Sequence, residues 1–87
     1  MNRAKITFAN GSTLFLSDSS EIAPIIHMKD EKGPFASLGE YNPLYPHIHD
    51  GLIPSILDVL CFCDFFAVRE KPDTIFCAKS IVSIESI

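Results

Sequence analysis

His47-Ile48-His49-Asp50 is the stretch of this 87-residue chain whose residue types and spacing come nearest to metal chemistry. Alternating histidines in an extended segment point to one side, and the Asp50 carboxylate could complete a set of three ligands. Cys61, Cys63 and Cys77 offer softer thiolate donors as a second set. His-x-His alone is not a metal signature, and on a continuous helix Cys61 and Cys63 stand about 200° apart. They would converge only if the helix ended near Cys61. The plainer expectation makes the histidines polar loop groups and the cysteines small core residues, as free buried cysteines usually are. No metal and no cofactor are therefore expected, with His47, His49 and Asp50 the weak candidates for a metal-dependent enzyme or sensor.

Other catalytic arrangements fare no better. A cysteine nucleophile needs a thiolate in an electropositive, partly exposed place. Cys61 and Cys63 fall on the C-terminal side of the expected helix, where the dipole raises a thiol pKa, and Asp64 pushes the same way. Asp58 and Asp64 have no partner carboxylate at a recognisable spacing and read as solvated residues. The four glycines are not clustered, so no loop cradles a phosphate. Asp50 has a structural task available, capping the helix start through the free N–H groups of residues 51–53. The expectation is a protein that is not an enzyme and has no catalytic residues.

The aromatic residues outside the alternating segments suggest contact instead. Tyr41 and Tyr45 lie in Gly39–Gly51, where two prolines, two glycines and an asparagine argue against regular structure. A connection of that length is often functional. Phe62 falls on the helix side that carries Ser55 and Asp58, which makes the helix apolar almost all round. Either the proline-containing loop folds over Phe62, or Phe62 belongs to an interface. Tyr41, Tyr45, His47, His49, Phe62 and Phe15 are the interface candidates.

Leu52–Phe66 is the longest apolar run and reads as the helix that must position these groups. Leu52, Ile56, Val59, Cys63 and Phe66 keep a helical rhythm, Ile53, Leu57 and Leu60 widen it, and Pro54 suits the first helical position. The rest reads as strands. Residues 5–9 alternate, Asn10-Gly11 turns, and residues 12–16 resume. A three-residue loop Ala9-Asn10-Gly11 puts Ile6, Phe8, Leu14 and Leu16 on one face, and leaves Phe15 on the other. Glu21–Met28 is a strand in which Pro24 suggests an edge or a bulge. Lys29–Pro34 is a charged hairpin tip and Phe35–Leu38 its return. Phe65–Arg69, Thr74–Ala78 and Ile81–Glu85 follow the helix. The expected fold is α+β, mainly β, in one domain over residues 1–87. It is either a small SH3-like or Sm-like barrel or a curled antiparallel sheet of five to seven short strands, with one helix at about 53–63.

Composition bounds the function. At 47% hydrophobic, with seven Phe and no Trp, the chain has enough apolar content for a core without staples. Eleven acids against seven bases give a net charge of −4, and the bases are scattered, so nucleic acid is disfavoured as a partner. Three cysteines make no disulfide framework, and the first residues lack a signal-peptide apolar stretch. The apolar run falls short of the roughly 20 residues a membrane span needs and is broken by Pro54, Asp58 and Asp64. A reduced, cytoplasmic protein without membrane contact is expected.

The opening Ile-Thr-Phe-Ala-Asn-Gly-Ser-Thr-Leu-Phe-Leu and the closing Ala-Lys-Ser-Ile-Val-Ser-Ile-Glu-Ser-Ile resemble small uncharacterised proteins of bacteriophages and prophages of Gram-positive bacteria. The resemblance covers about a quarter of the chain, consists of strand and turn patterns, and implies a phage origin with a host or phage protein as partner. It carries no catalytic residue. The favoured expectation is a non-enzymatic protein–protein interaction module, with homo-oligomerisation as one form of that contact. The alternative is a nucleic-acid-binding module in which lysines gather beside Phe15 or Tyr41 as stacking platforms.

Overall fold

In the computed structural model, which describes residues 2–87, β1 (Arg3–Phe8) and β2 (Thr13–Ser17) form the opening hairpin in the expected register. Ile6 faces Leu14 and Ala4 faces Leu16. Phe8 N–H donates to the Ser12 carbonyl at 2.9 Å, closing the three-residue loop Ala9-Asn10-Gly11. Gly11 sits at φ +87°, a conformation that a side chain would disfavour. A slip of one residue would have turned Leu14 and Leu16 outward and Phe15 inward, so burial of the two leucines fixes this register. β8 (Ile81–Ser86) pairs on the other side of β1, and a bulge between Thr7 and Phe8 keeps both Ile84 and Ile81 on the core side.

The second sheet is built on β3 (Glu21–Asp30), with β4 (Gly33–Leu38) and the two-residue β5 (Asn42–Pro43) along one side. On its other side lie β6 (Phe65–Val68) and then β7 (Ile75–Cys77). β3 therefore has neighbours on both sides near Pro24, and the expected edge position does not hold. Pro24 survives there because it stands at a seam. It faces Phe66 of β6, its carbonyl accepts from Gly39 N–H at 2.8 Å, and β4 pairing proper begins one residue later, at Ile25. A missing N–H costs least where a ladder starts.

The charged tip is also tighter than expected. Both strands run on until Asp30 faces Gly33, leaving only Glu31-Lys32 as the turn. Asp30 Oδ1 accepts from Lys32 N–H at 2.8 Å, and Gly33 takes φ +117°. β4 and β5 are nearly one strand. Leu38 faces Ile25 and Asn42 faces Ile22, so three residues, Gly39–Tyr41, stand opposite two of β3. At this bulge a Cβ on Gly39 would lie 2.9 Å from Ile26 Cδ1 and 3.0 Å from the Pro24 carbonyl oxygen, so glycine is required by space.

α1 (Ile53–Leu60) is shorter than the expected 53–63. Cys61 caps its C-terminus, and the chain then turns to enter β6 at Phe65, held by Ala78 N–H donating to the Asp64 carbonyl at 2.8 Å. Its N-cap is Leu52, without a side-chain bond, and Pro54 is accommodated in the first turn. Asp50 does not cap the helix, contrary to expectation, because the chain reverses at Gly51 before the helix begins.

The core joins the sheets. Ile6, Leu14 and Leu16 of the first meet Ile22, Phe66 and Val68 of the second, with Leu52, Ile56 and Leu60 of α1. Phe76 stacks between Phe8 at 5.6 Å and Phe66 at 5.3 Å, a chain of rings from β1 through β7 to β6. The fold is thus α+β and mainly β; the described residues form one α-helix, a short 3-10 turn at Ala78–Ser80 and eight strands in two antiparallel sheets. The sheets do not close into an SH3-like or Sm-like barrel; their edges stay apart, which leaves the curled-sheet form of the expectation. Among the described residues no helix is long and apolar enough to cross a membrane.

Candidate interaction surface

α1 lies across the second sheet and leaves an open groove of about 660 Å³ between itself and β3. Pro24 and Ile26 line the strand side and Val59 the helix side, with Tyr45 and Phe62 also on its wall. Phe62 is 90% exposed and Tyr45 66%. The loop therefore does not fold over Phe62. Ser55 explains where the loop goes instead: its hydroxyl, buried on α1, accepts from Tyr45 N–H at 3.1 Å and ties the loop beside the helix. Phe62 follows the Cys61 cap, so its direction is set by the turn into β6 and no longer by helical spacing. Among the described residues Asp58 is the only carboxylate lining the groove, and His27 lines it too.

The remaining interface candidates lie elsewhere. Tyr41 sits under the Arg69 guanidinium, 4.6 Å from the ring centroid, and Arg69 Nε reaches Glu21 Oε2 at 2.6 Å. That trio fastens the bulge to the end of β6. Phe15 is on the outer face of the first sheet, with the Arg3 guanidinium 5.7 Å from its ring and Lys5 facing it across the ladder. Glu85 faces Lys5 from the other side. The other five bases belong to other elements: Lys29 and Lys32 to the β3–β4 tip, Arg69 and Lys71 to the segment after β6, and Lys79 to the turn after β7.

His47 and His49 do not form an extended pair of ligands. His47 and Gly51 exchange two backbone bonds, 2.8 and 3.1 Å, around a tight turn whose tip is Ile48-His49-Asp50. Ile48 is 96% exposed at that tip, and both histidines and Asp50 face solvent. Gly51 takes φ +61°, and a Cβ there would lie 2.9 Å from Ser86 Oγ. Among the described residues no three His, Cys, Asp or Glu side chains are grouped to hold a metal ion.

A second cleft adds His27 and Lys79 to the group Cys61, Cys63 and Asp64 that the sequence already placed together. Asp64 lies 3.6 Å from His27 Nε2 and 3.2 Å from Lys79 Nζ. The His27 side chain is 74% exposed and that of Asp64 44%, so these are weak surface pairs. Burial pushes the Cys63 thiol up, and Asp64 adds to it. Its Sγ lies 3.5 Å from the Val59 carbonyl oxygen, which accepts from the thiol. The Asp64 contribution has the sign expected from the sequence, and burial is the larger cause. Cys77 is lowered, chiefly by the Ser80 hydroxyl and also by the N–H groups of Lys79 and Ser80, against burial and Asp64.

Sequence reasoning also missed the outer face of the second sheet. Phe65 and Phe66 are adjacent in a strand, so only one can enter the core; Phe66 does, and Phe65 faces out. The same argument applies to Ile75 beside Phe76, and Leu38 opposite Ile25 extends the outer apolar band. Adjacent large apolar pairs were the available signal. Comparison of the chain with protein-family models, curated proteins and solved structures finds no match.

Proposed function

We propose that this chain is a non-enzymatic protein–protein interaction module that seats an apolar segment of a partner in the groove between β3 and α1. The observation that carries this reading is Phe62, exposed on the groove wall in a chain with a well-filled core a few residues away. An aromatic ring held outside the core on a structured turn gains little from folding and contributes to binding when a partner covers it. The mixed lining, apolar with one carboxylate, suits a segment bearing an apolar anchor and a nearby cationic group. Three free cysteines fit a reducing compartment such as the cytoplasm. The phage resemblance of the first and last strands bears on the partner's source, a host or phage protein, and not on its chemistry.

The test is capture from lysate of the native host on immobilised chain, comparing wild type with Phe62→Ser, Tyr45→Ser and the distant control Phe15→Ser. The expected result is a protein retained by wild type and Phe15→Ser, lost from Phe62→Ser and reduced for Tyr45→Ser, all four chains giving the same circular dichroism. Equal retention by Phe62→Ser and wild type would dispose of the groove as the site.

A further inference from the structure

We infer that β4 is the dimerisation edge of this protein, pairing antiparallel with β4 of a second copy about a two-fold axis at Ala36. Among the described residues β3 has only β4 as a neighbour beyond Ile25, because β6 begins at Phe65 and its pairing with β3 stops at Pro24. The outer half of this hairpin is therefore two strands wide, with Ile26, Met28, Phe35 and Leu38 all exposed. A two-stranded ribbon is at best marginally stable in water, and added strands are the usual remedy. The six residues of β4, Gly-Pro-Phe-Ala-Ser-Leu, carry no charge to discourage pairing at the edge.

The ladder fixes which groups are available. Gly39 N–H points to β3, so by alternation Ser37, Phe35 and Gly33 point there too. Pro34, Ala36 and Leu38 direct their backbone groups outward. Pro34 thus has its missing N–H on the outer side, where the ladder with β3 does not need it. Among the described residues no loop bond reaches the outer groups of Ala36 or Leu38. With the axis at Ala36, each Ala36 N–H donates to the other copy's Ala36 carbonyl, and each Leu38 N–H to the other copy's Pro34 carbonyl.

Charge selects this register. Continuing the same pairing places Lys32 of one copy opposite Glu40 of the other, twice by symmetry. Both residues are exposed, and among the described residues neither has an ion-pair partner within its own chain. Moving the axis one residue toward the tip would set Asp30 against Glu40, a repulsive pair. Moving it one residue the other way would set Pro34 against Glu40, with no charge pairing. The interface uses the sheet edge and leaves the groove open, so it stands or falls independently of the groove reading.

Sedimentation equilibrium on the full chain, from about 10 μM to about 1 mM, spans the range expected of a small edge-to-edge contact. Wild type should move reversibly from 9.6 kDa to twice that mass. Lys32→Glu and Glu40→Lys should each weaken the dimer by about tenfold or more, since each turns two attractions into two repulsions. The double variant should restore it. Ala36→Lys sets two like charges face to face across the axis and should leave a monomer with unchanged circular dichroism. A wild-type monomer at about 1 mM overturns the inference, as does a dimer that both single reversals leave intact or that the double variant fails to restore.

Discussion

Replacing Phe76 with Leu tests whether the two sheets share one core. Leucine keeps the site apolar at a modest loss of volume, a change that by itself usually costs less than about 1.5 kcal/mol. It also removes both ring stacks, to Phe8 and to Phe66. At about 0.5–1.5 kcal/mol for each aromatic pair beyond area burial, the stacks contribute about 1–3 kcal/mol together. The expected loss is then about 2–4 kcal/mol, out of about 4–13 kcal/mol for a chain of this length. Urea unfolding monitored by far-ultraviolet circular dichroism measures it, and the midpoint should fall with the slope unchanged. Phe35→Leu, on the exposed hairpin, is the control and should stay within about 0.5 kcal/mol of wild type. Coupling with Phe8→Leu sharpens the reading, because Phe8 touches Phe76 from the other sheet. The double variant should lose about 0.5–1 kcal/mol less than the sum of the singles. A Phe76→Leu chain as stable as the control, or strict additivity with Phe8→Leu, would refute the shared core.

Gly39→Ala should destabilise by about 1–3 kcal/mol in the same assay, because the added Cβ meets the Pro24 carbonyl, which is backbone and cannot swing away. An unchanged midpoint would mean that the bulge relaxes freely. Alkylation with iodoacetamide near neutral pH, resolved by peptide mass spectrometry, should label Cys77 well before Cys63. Cys77 has its thiolate favoured and so holds more of the reactive form below the ordinary thiol range, while Cys63 holds less. Equal labelling rates would contradict those environments. Phe62→Ser should leave the unfolding midpoint within about 0.5 kcal/mol of wild type, since an exposed ring contributes little to the folded chain; a larger loss would place Phe62 in an intramolecular contact.

The opening hairpin was legible to the residue because two local signals agreed. Alternation chose the buried face, and Gly11 supplied the left-handed position that a three-residue loop demands. At the second hairpin local signals and tertiary pairing disagreed. Lys29 and Asp30 have poor strand propensity and looked like loop, yet a neighbour across the ladder and a two-residue turn hold both in β3. Barrel closure was beyond reach for a related reason: it depends on which distant edges meet, and no local pattern encodes that the edges of these two sheets remain apart. The candidate surface was half legible. Phe62 was recognisable as excess apolar area on a helix already supplied with a core face, but its exposure follows from the helix stopping at Leu60 to let the chain reach β6. Tyr41 and Phe15 look like equivalent aromatics in the sequence, but in the fold Arg69 lies over Tyr41 and Arg3 flanks Phe15. A contact residue and a clasp residue have the same composition and the same spacing. What separates them is whether the fold supplies a neighbour, and for Tyr45 and Phe62 it supplies an open groove.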